Sequence, residues 1–600
     1  MDELVQPDAH AEDVRKVGVL MRLPILESGN TSRHVTDVFS GYDHRLKIAD
    51  GAFFDTKNLS SQHYPLMSTR PHRGTVKTLT NPGGIIGKDA LCYVADGTLY
   101  VNDLATPVTG LSAGEKQLVS MGAYVVIFPD KVYYNTEDPT DYGSMEATYS
   151  SVGTITYAPC RVDGTVYENI TKGESEPTPT NGALWIDTSD GGMVLRQYSS
   201  SFSGWTEITN VYTRITFSDH GNVPDLFKQY DGVTVSGAHY EDLNGQKVIY
   251  AVGGDTNEQD YIVLVGLYDA YTDEEGSITV SRTIPQMDYV CECQNRLWGC
   301  FYGNDGEKNL NEIYCSALGD FKNFRQYMGL STDSWTASVG SDGQWTGAIN
   351  YLGRPTFFKE NRIHQVTISA TGGHRIDETI CRGVQKGSFR SLKVVGESLY
   401  YKSRDDVCTW QGGFPIGISA QLGDVKYDSA VAGTAFGLYY LSMRDGAGNY
   451  HLFTYDAARD MWYREDNLHA LYFDTVDGEL FCVDSDGHLL AMRGSVGTLE
   501  GSIDWIAETG TLAYETADRK YVSRFNLSLR MAAGDTLTIW IQYDSDGVWH
   551  DRGHVTFSGL GTVTVPIRPR RCDHLQIRLT GTGDLKLYAI TRIVEIGSDM

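Results

Sequence analysis

The sequence predicts an all-β chain: a β-propeller body of about six or seven blades, with inserted β domains and a C-terminal β-sandwich or jelly roll. Three observations predict it. Apolar and polar side chains alternate with a period of two in nearly every segment, as in Phe525, Leu527 and Leu529 or Leu575, Ile577 and Leu579. A turn followed by a bulky apolar pair recurs along the chain. The composition, 64 Gly and 37 Tyr against 13 Met, suits short strands and turns better than bundled helices.

The recurring phrase closes on Tyr100, Tyr133, Trp298, Phe357, Tyr400, Tyr439 and Phe481, at separations of 33, 165, 59, 43, 39 and 42 residues. Four-stranded blades repeat at roughly 40–50 residues, because each small sheet must stack on its neighbours to bury both faces. Meanders in stacked sandwiches are the alternative, and the three consecutive spacings nearest 40 favour blades. The long gap then holds one blade plus an insertion.

In chain order, residues 1–50 carry few regular signals and read as an N-terminal arm, packed on a neighbour or frayed. Residues 51–135 hold the first blades. Residues 136–286 are the inserted β domains: a small module at about 174–206, led in by Pro177 and Pro179, and an acidic β segment at about 212–283. Residues 287–500 supply the remaining blades. Residues 501–600 alternate strongly (Leu537, Ile539, Ile541 and Tyr543 are one run) and form the C-terminal β-sandwich.

With 50 Lys and Arg against 77 Asp and Glu, the formal charge is −27. Such a chain lacks the basic footprint of a protein that grips phosphate backbones. No apolar run is long enough to cross a bilayer as a helix, and residues 1–30 do not read as a secretory signal. Ten scattered cysteines without a CxxC read as buried small hydrophobes in a chain made in a reducing cytoplasm. Cys291, Cys293, Cys300 and Cys315 are close enough together for zinc to be the alternative.

The motifs give no positive case for an enzyme. Gly110-Leu-Ser112-Ala-Gly114 has the G-x-S-x-G spacing but not the strand before and helix after that a nucleophile elbow requires. Asn81 to Asp89 resembles a phosphate loop only in its glycines and reads as a turn. Asp484-Ser-Asp-Gly487 and Asp544-Ser-Asp-Gly547 lack the later ligands of a calcium loop and read as hairpin turns. His34, His44, His63 and His72 form no ligand pattern. The expectation is therefore no enzyme, no catalytic residue, no cofactor and no metal.

Two charge features stand out. Residues 231–280 hold ten acids and one base, Lys247. Arg568, Arg570 and Arg571 are the densest basic cluster, suited to carboxylates at an inter-subunit contact.

Several stretches resemble virion proteins of tailed bacteriophages. Asn295-Arg-Leu-Trp-Gly299 followed by Asn311-Glu-Ile-Tyr-Cys-Ser-Ala-Leu-Gly-Asp320-Phe-Lys-Asn-Phe324 is similar to a blade of short-tailed phage tail nozzle proteins (tail tubular protein B-like) and of related prophage tail proteins. Asn181-Gly-Ala-Leu-Trp185-Ile-Asp-Thr-Ser189 resembles a small module of many phage structural proteins, and the stretch from Pro569-Arg-Arg-Cys-Asp-His574 through Gly597-Ser-Asp599 resembles a tail-protein C-terminus. Together these parts span about half the chain.

The resemblance implies a virion tail protein made in the host bacterial cytoplasm. It implies a homo-oligomeric ring, usually a hexamer, whose neighbours are a portal-proximal adaptor ring and tail fibres or spikes, with no stable membrane insertion. Double-stranded DNA passes through at ejection without specific binding, which negative walls permit. The candidate channel-facing acids are then Asp255, Glu258, Asp260, Asp269, Asp273, Glu274 and Glu275. The rival readings are a glycan-recognising, receptor-binding tail protein and a glycan-degrading propeller enzyme.

Overall fold

A computed structural model describes residues 31–218, 222–254, 259–306, 308–369, 372–516 and 518–596. Its body is a seven-bladed propeller.

Blade one is built from Pro82–Gly87, Leu91–Ala95, Thr98–Val101 and Leu104–Ala105, and blade two from Gln117–Met121, Tyr124–Phe128, Val132–Asn135 and Tyr142–Ser144. Blades three to six begin at Tyr289–Glu292, Gly347–Tyr351, Lys393–Val395 and Tyr427–Ala435, and each continues as a four-stranded antiparallel meander. Blade seven takes Ala470–Val476, Glu479–Asp484 and His488–Ala491, and then borrows Gly74–Thr78 from the far end of the sequence. The first strands of the blades form the inner ring, with the single-turn helix Phe389–Ser391 filling in between blades four and five, and blade seven packs on blade one to close the circle.

Stacking makes the core. Seven hydrophobic clusters lie one between each neighbouring pair of blades. Between blades three and four sit Trp298, Cys300, Ile313, Cys315, Trp345, Phe357 and Val366; between seven and one sit Tyr472, Val483, Leu489, Ile85 and Tyr93; the other five interfaces are filled in the same way. Each fully buried large apolar side chain contributes about 1.5–3 kcal/mol relative to exposure. The seven recurring phrases fall one in each blade. Tyr100 and Tyr133 lie on third strands, whereas Trp298, Phe357, Tyr400, Tyr439 and Phe481 lie on second strands.

The C-terminal unit is a sandwich. One sheet contains Leu585–Ile596, Lys520–Met531 and Gly559–Pro566; the other contains Asp504–Thr509, Leu575–Thr582, Thr536–Tyr543 and His550–Val555. Its core is the alternating set read from sequence, Phe525, Leu527, Leu529, Leu537, Ile539, Ile541, Ile577 and Leu579 among them.

The N-terminal reading needs correction. Residues 1–30 lie outside the described residues, but 31–50 are no arm. Thr31–Thr36 pairs with Leu585–Ile596, and Gly41–Tyr42 runs parallel to Ala52–Lys57, which pairs with Asp504–Thr509. Residues 52–69 therefore belong to the sandwich, and the first blade starts at Pro82 rather than 51. Gly41–Tyr42 also meets blade six through Tyr42 and Trp462, so one ten-stranded sheet runs from propeller to sandwich. Buried charge locks the same junction: Arg73 pairs with Glu465 (2.7 Å) and Asp466 (2.6 Å), and Arg70 with Glu500 (3.1 Å).

The insertion leaves blade two along Ala147–Cys160 and returns antiparallel along Tyr271–Arg282. These two strands are part of a seven-stranded sheet with its own core of Ile155, Ile215, Ile262, Leu264, Ile278 and Val280. Nested within it is a four-stranded module of Ile170–Gly173, Leu184–Asp187, Val194–Ser199 and Gly204–Glu207.

Candidate functional site at the propeller hub

Where the inner strands converge, a cavity of about 310 Å³ opens at the hub, lined from all seven blades. It is at the small end of the roughly 300–1,000 Å³ typical of ligand sites, and like them it combines apolar walls with a few convergent polar groups. Ile85, Leu118, Val290, Ile349, Val431 and Phe473 supply the walls; Lys116, Gln117, Arg390, Lys393 and Asp474 supply the polarity.

Close approach of the strands depends on glycine. A Cβ on Gly84 would come within 2.6 Å of the Leu118 side chain, and one on Gly87 within 2.1 Å of the Thr475 carbonyl, so blade one can fit between its neighbours only without side chains there. The turn read at 81–89 is mostly this inner strand.

Each polar group is held by its own local chemistry. Arg390, presented by Phe389–Ser391, crosses toward two other blades. Its guanidinium pairs with Glu115, donates to the Lys116 carbonyl (3.2 Å) and lies over the Tyr472 ring, 4.4 Å from its centroid. Burial pushes the Tyr472 hydroxyl above its usual pKa, with Arg390 opposing. Lys116, only 2% exposed, pairs with Asp130 at 2.9 Å and donates to Ser112 (2.7 Å). The serine of the G-x-S-x-G phrase donates in turn to Asp130 (2.5 Å), so that loop is pinned by a lysine and an aspartate. Gln117 bridges to blade three, donating to the Asp288 carbonyl (2.7 Å) and accepting from the Val290 amide (3.1 Å). Asp474 accepts from the Gly87 and Thr475 amides (3.0 and 2.9 Å). Lys393 rests 3.5 Å from the Phe473 carbonyl.

The site residues expected from sequence do not gather. Asp255 and Glu258 lie outside the described residues. Asp260 is no channel-facing acid: it is fully buried, and its carboxylate accepts from the Asn222 and Val223 amides at the start of a helical turn. A run of acids in sequence does not separate a solvated carboxylate from one used as a cap. Asp269 pairs with Lys172 of the nested module at 2.5 Å. Asp273, Glu274 and Glu275 lie on the returning strand opposite the irregularity between Gly153 and Ile155, with Glu274 accepting from Thr154 (3.3 Å). Arg570 is engaged within its own chain, by Asp546 (3.4 Å), His550 (2.9 Å) and the face of Tyr543, while Arg568 and Arg571 are exposed.

The four cysteines of blade three are buried, and burial pushes the thiols of Cys293 and Cys315 up to about 12. Asp484, Asp486 and His488 stand near one another, but Asp484 accepts from the Asp486 and His488 amides and from His488 Nδ1, closing a hairpin.

Three residues of the blade-three phrase that carried the phage resemblance, Arg296, Asp320 and Asn323, make contacts that hold this fold together. Arg296, 4% exposed, donates to the carbonyls of Ser316, Asp333 and Ser331 (2.8, 2.7 and 2.7 Å) and so holds the long loop of blade three. Asn323 bonds Tyr230 and Gly232, and Asp320 pairs with Lys228, strapping the insertion to blade three.

No protein-family model matches the chain, and no curated protein does. Similar solved structures include a glycoside hydrolase (11% identity, TM-score 0.20, 50% of this chain and 96% of that one). A phage phi92 endosialidase is similar at 10% identity and a TM-score of 0.23, over 85% of this chain and 80% of that one. A Trypanosoma rangeli sialidase is similar at 10% identity and a TM-score of 0.21, over 94% and 96%. The propeller assignment itself rests on the sheet order described above. All three neighbours are named as enzymes, so the expectation that the chain is not an enzyme is corrected and dropped.

Proposed function

We propose that the chain is a bacteriophage tail protein whose propeller hub binds a glycan of the host surface. The observation that supports this reading best is the hub cavity, where seven rigid strands bring apolar walls, an aromatic ring and separate polar groups to one place. The tail assignment draws on the order of the Asn295–Phe324 and Asn181–Ser189 phrases. Asp474 lines the cavity and Glu115 is held on Arg390, which lines it too; carboxylates are the groups that cleave glycosidic bonds.

The test is a glycan array on the full chain and on Ala348→Trp, which fills the cavity from blade four. Binding that is lost in the filled variant supports the hub, and binding that persists sinks it. Reducing-end release from any bound glycan, measured also with Asp474→Asn and Glu115→Gln, tells recognition from cleavage.

A ring subunit surrounding the path of the DNA is the second reading. It is favoured by the formal charge of −27, since such a wall does not hold a polyanion. Particles of defined rotational symmetry in solution would support it; a monomer under every assembly condition would end it.

A further inference from the structure

We infer that the hub selects a ligand bearing a carboxylate, that is, an acidic rather than a neutral glycan. This inference rests on the hub being the ligand site. Three cations, Lys116, Arg390 and Lys393, line a cavity to which one carboxylate, Asp474, contributes. That is the reverse of the whole chain, in which acids outnumber bases 77 to 50.

The cations are not equally committed. Lys116 is neutralised by buried Asp130, and Asp474 spends its oxygens on two backbone amides. Lys393 forms no ion pair among the described residues; the Phe473 carbonyl at 3.5 Å is at the outer limit of a hydrogen bond. Arg390 is paired, but with Glu115, whose side chain is 53% exposed, and an ion pair with so exposed a partner is weak and screened.

Arg390 and Lys393 are three residues apart on the segment that leads into blade five. A carboxylate entering from water would meet Lys393 and could displace Glu115 from Arg390. The planar guanidinium then offers a forked grip that a hydroxyl cannot reproduce. Tyr472, 7% exposed, lies beneath the guanidinium and holds its plane in place from blade seven.

The experiment is calorimetric titration of the full chain with digalacturonate and with its methyl ester, which share a backbone and differ in charge. The acid is expected to bind at least tenfold tighter than the ester, with the advantage shrinking in high salt. Lys393→Gln should cut the preference to about twofold without moving the melting temperature; Arg390→Gln should do the same, with the melting temperature reporting any loss of the blade contacts that this residue makes. Equal binding of acid and ester, a preference untouched by Lys393→Gln, or no binding of either overturns the inference. The two failures separate cleanly: equal binding that Ala348→Trp abolishes removes only the charge selectivity, whereas binding that Ala348→Trp leaves intact removes the hub itself.

Discussion

Blade three and the nested module at 170–207 are both four-stranded sheets of similar size, yet they stand differently in the molecule. Blade three has a neighbour on each face, and Leu297, Trp298, Cys300, Ile313 and Cys315 are completely buried. The nested module buries Trp185, Ile186 and Leu195 beneath itself, leaves Phe202 80% exposed at a turn, and reaches the larger inserted sheet through Lys172 and Asp269. A small sheet gains its stability from what stacks on it more than from its own ladder. The propeller is accordingly expected to unfold as one cooperative body, and the module to open on its own.

Four measurements would break or sharpen that contrast. Trp298→Ala should have the largest effect, about 3–5 kcal/mol of global stability lost in denaturant unfolding, because the cavity lies between two blades that cannot collapse onto it. Acidification comes next. Burial, reinforced by Lys359 and Arg362 and opposed by Glu378, lowers the pKa of His364 from 6.5 to about 4. The folded chain therefore keeps this ring neutral while the unfolded chain takes up a proton, so stability falls as pH drops from about 6.5 toward 4. His364 alone should cost on the order of 2 kcal/mol by pH 4.5, and His364→Gln should flatten that slope.

Trp185→Ala, removing an indole whose N–H donates to the Gly173 carbonyl (2.9 Å), should abolish hydrogen-exchange protection across 170–207. The global midpoint should stay within about 0.5 kcal/mol; a full loss of propeller stability would show that the module is coupled to the blades after all. Smallest of all, Phe202→Ser should leave every transition within about 0.5 kcal/mol.

The propeller was legible because its signal is local. A turn and a bulky apolar pair sit within five residues, and every blade has one. The phrase does not say which strand it marks, which is why Tyr100 and Tyr133 fall on third strands and the later five on second strands. The N-terminal strands were illegible for the opposite reason. Thr31–Thr36 and Ala52–Lys57 pair with strands more than 400 residues away, and no local pattern reports such a partner. The hub was hidden in the same way: Lys116 and Arg390 meet across 274 residues, and each alone is an unremarked cation. Asp260 misled because charge runs are read by count, whereas its role is set by two amides at the start of a helical turn.

The strand Gly74–Thr78 makes the wheel a padlock whose shackle is cast first and snapped shut last. On a ribosome it emerges before any blade is complete and must wait for His488–Ala491, more than 400 residues later, before it finds its slot. Until then every growing chain displays an unpaired flank at each end of an open crescent, the geometry by which one copy can capture the shackle of another. A cell making this protein in quantity therefore has reason to keep nascent chains apart until the lock has closed.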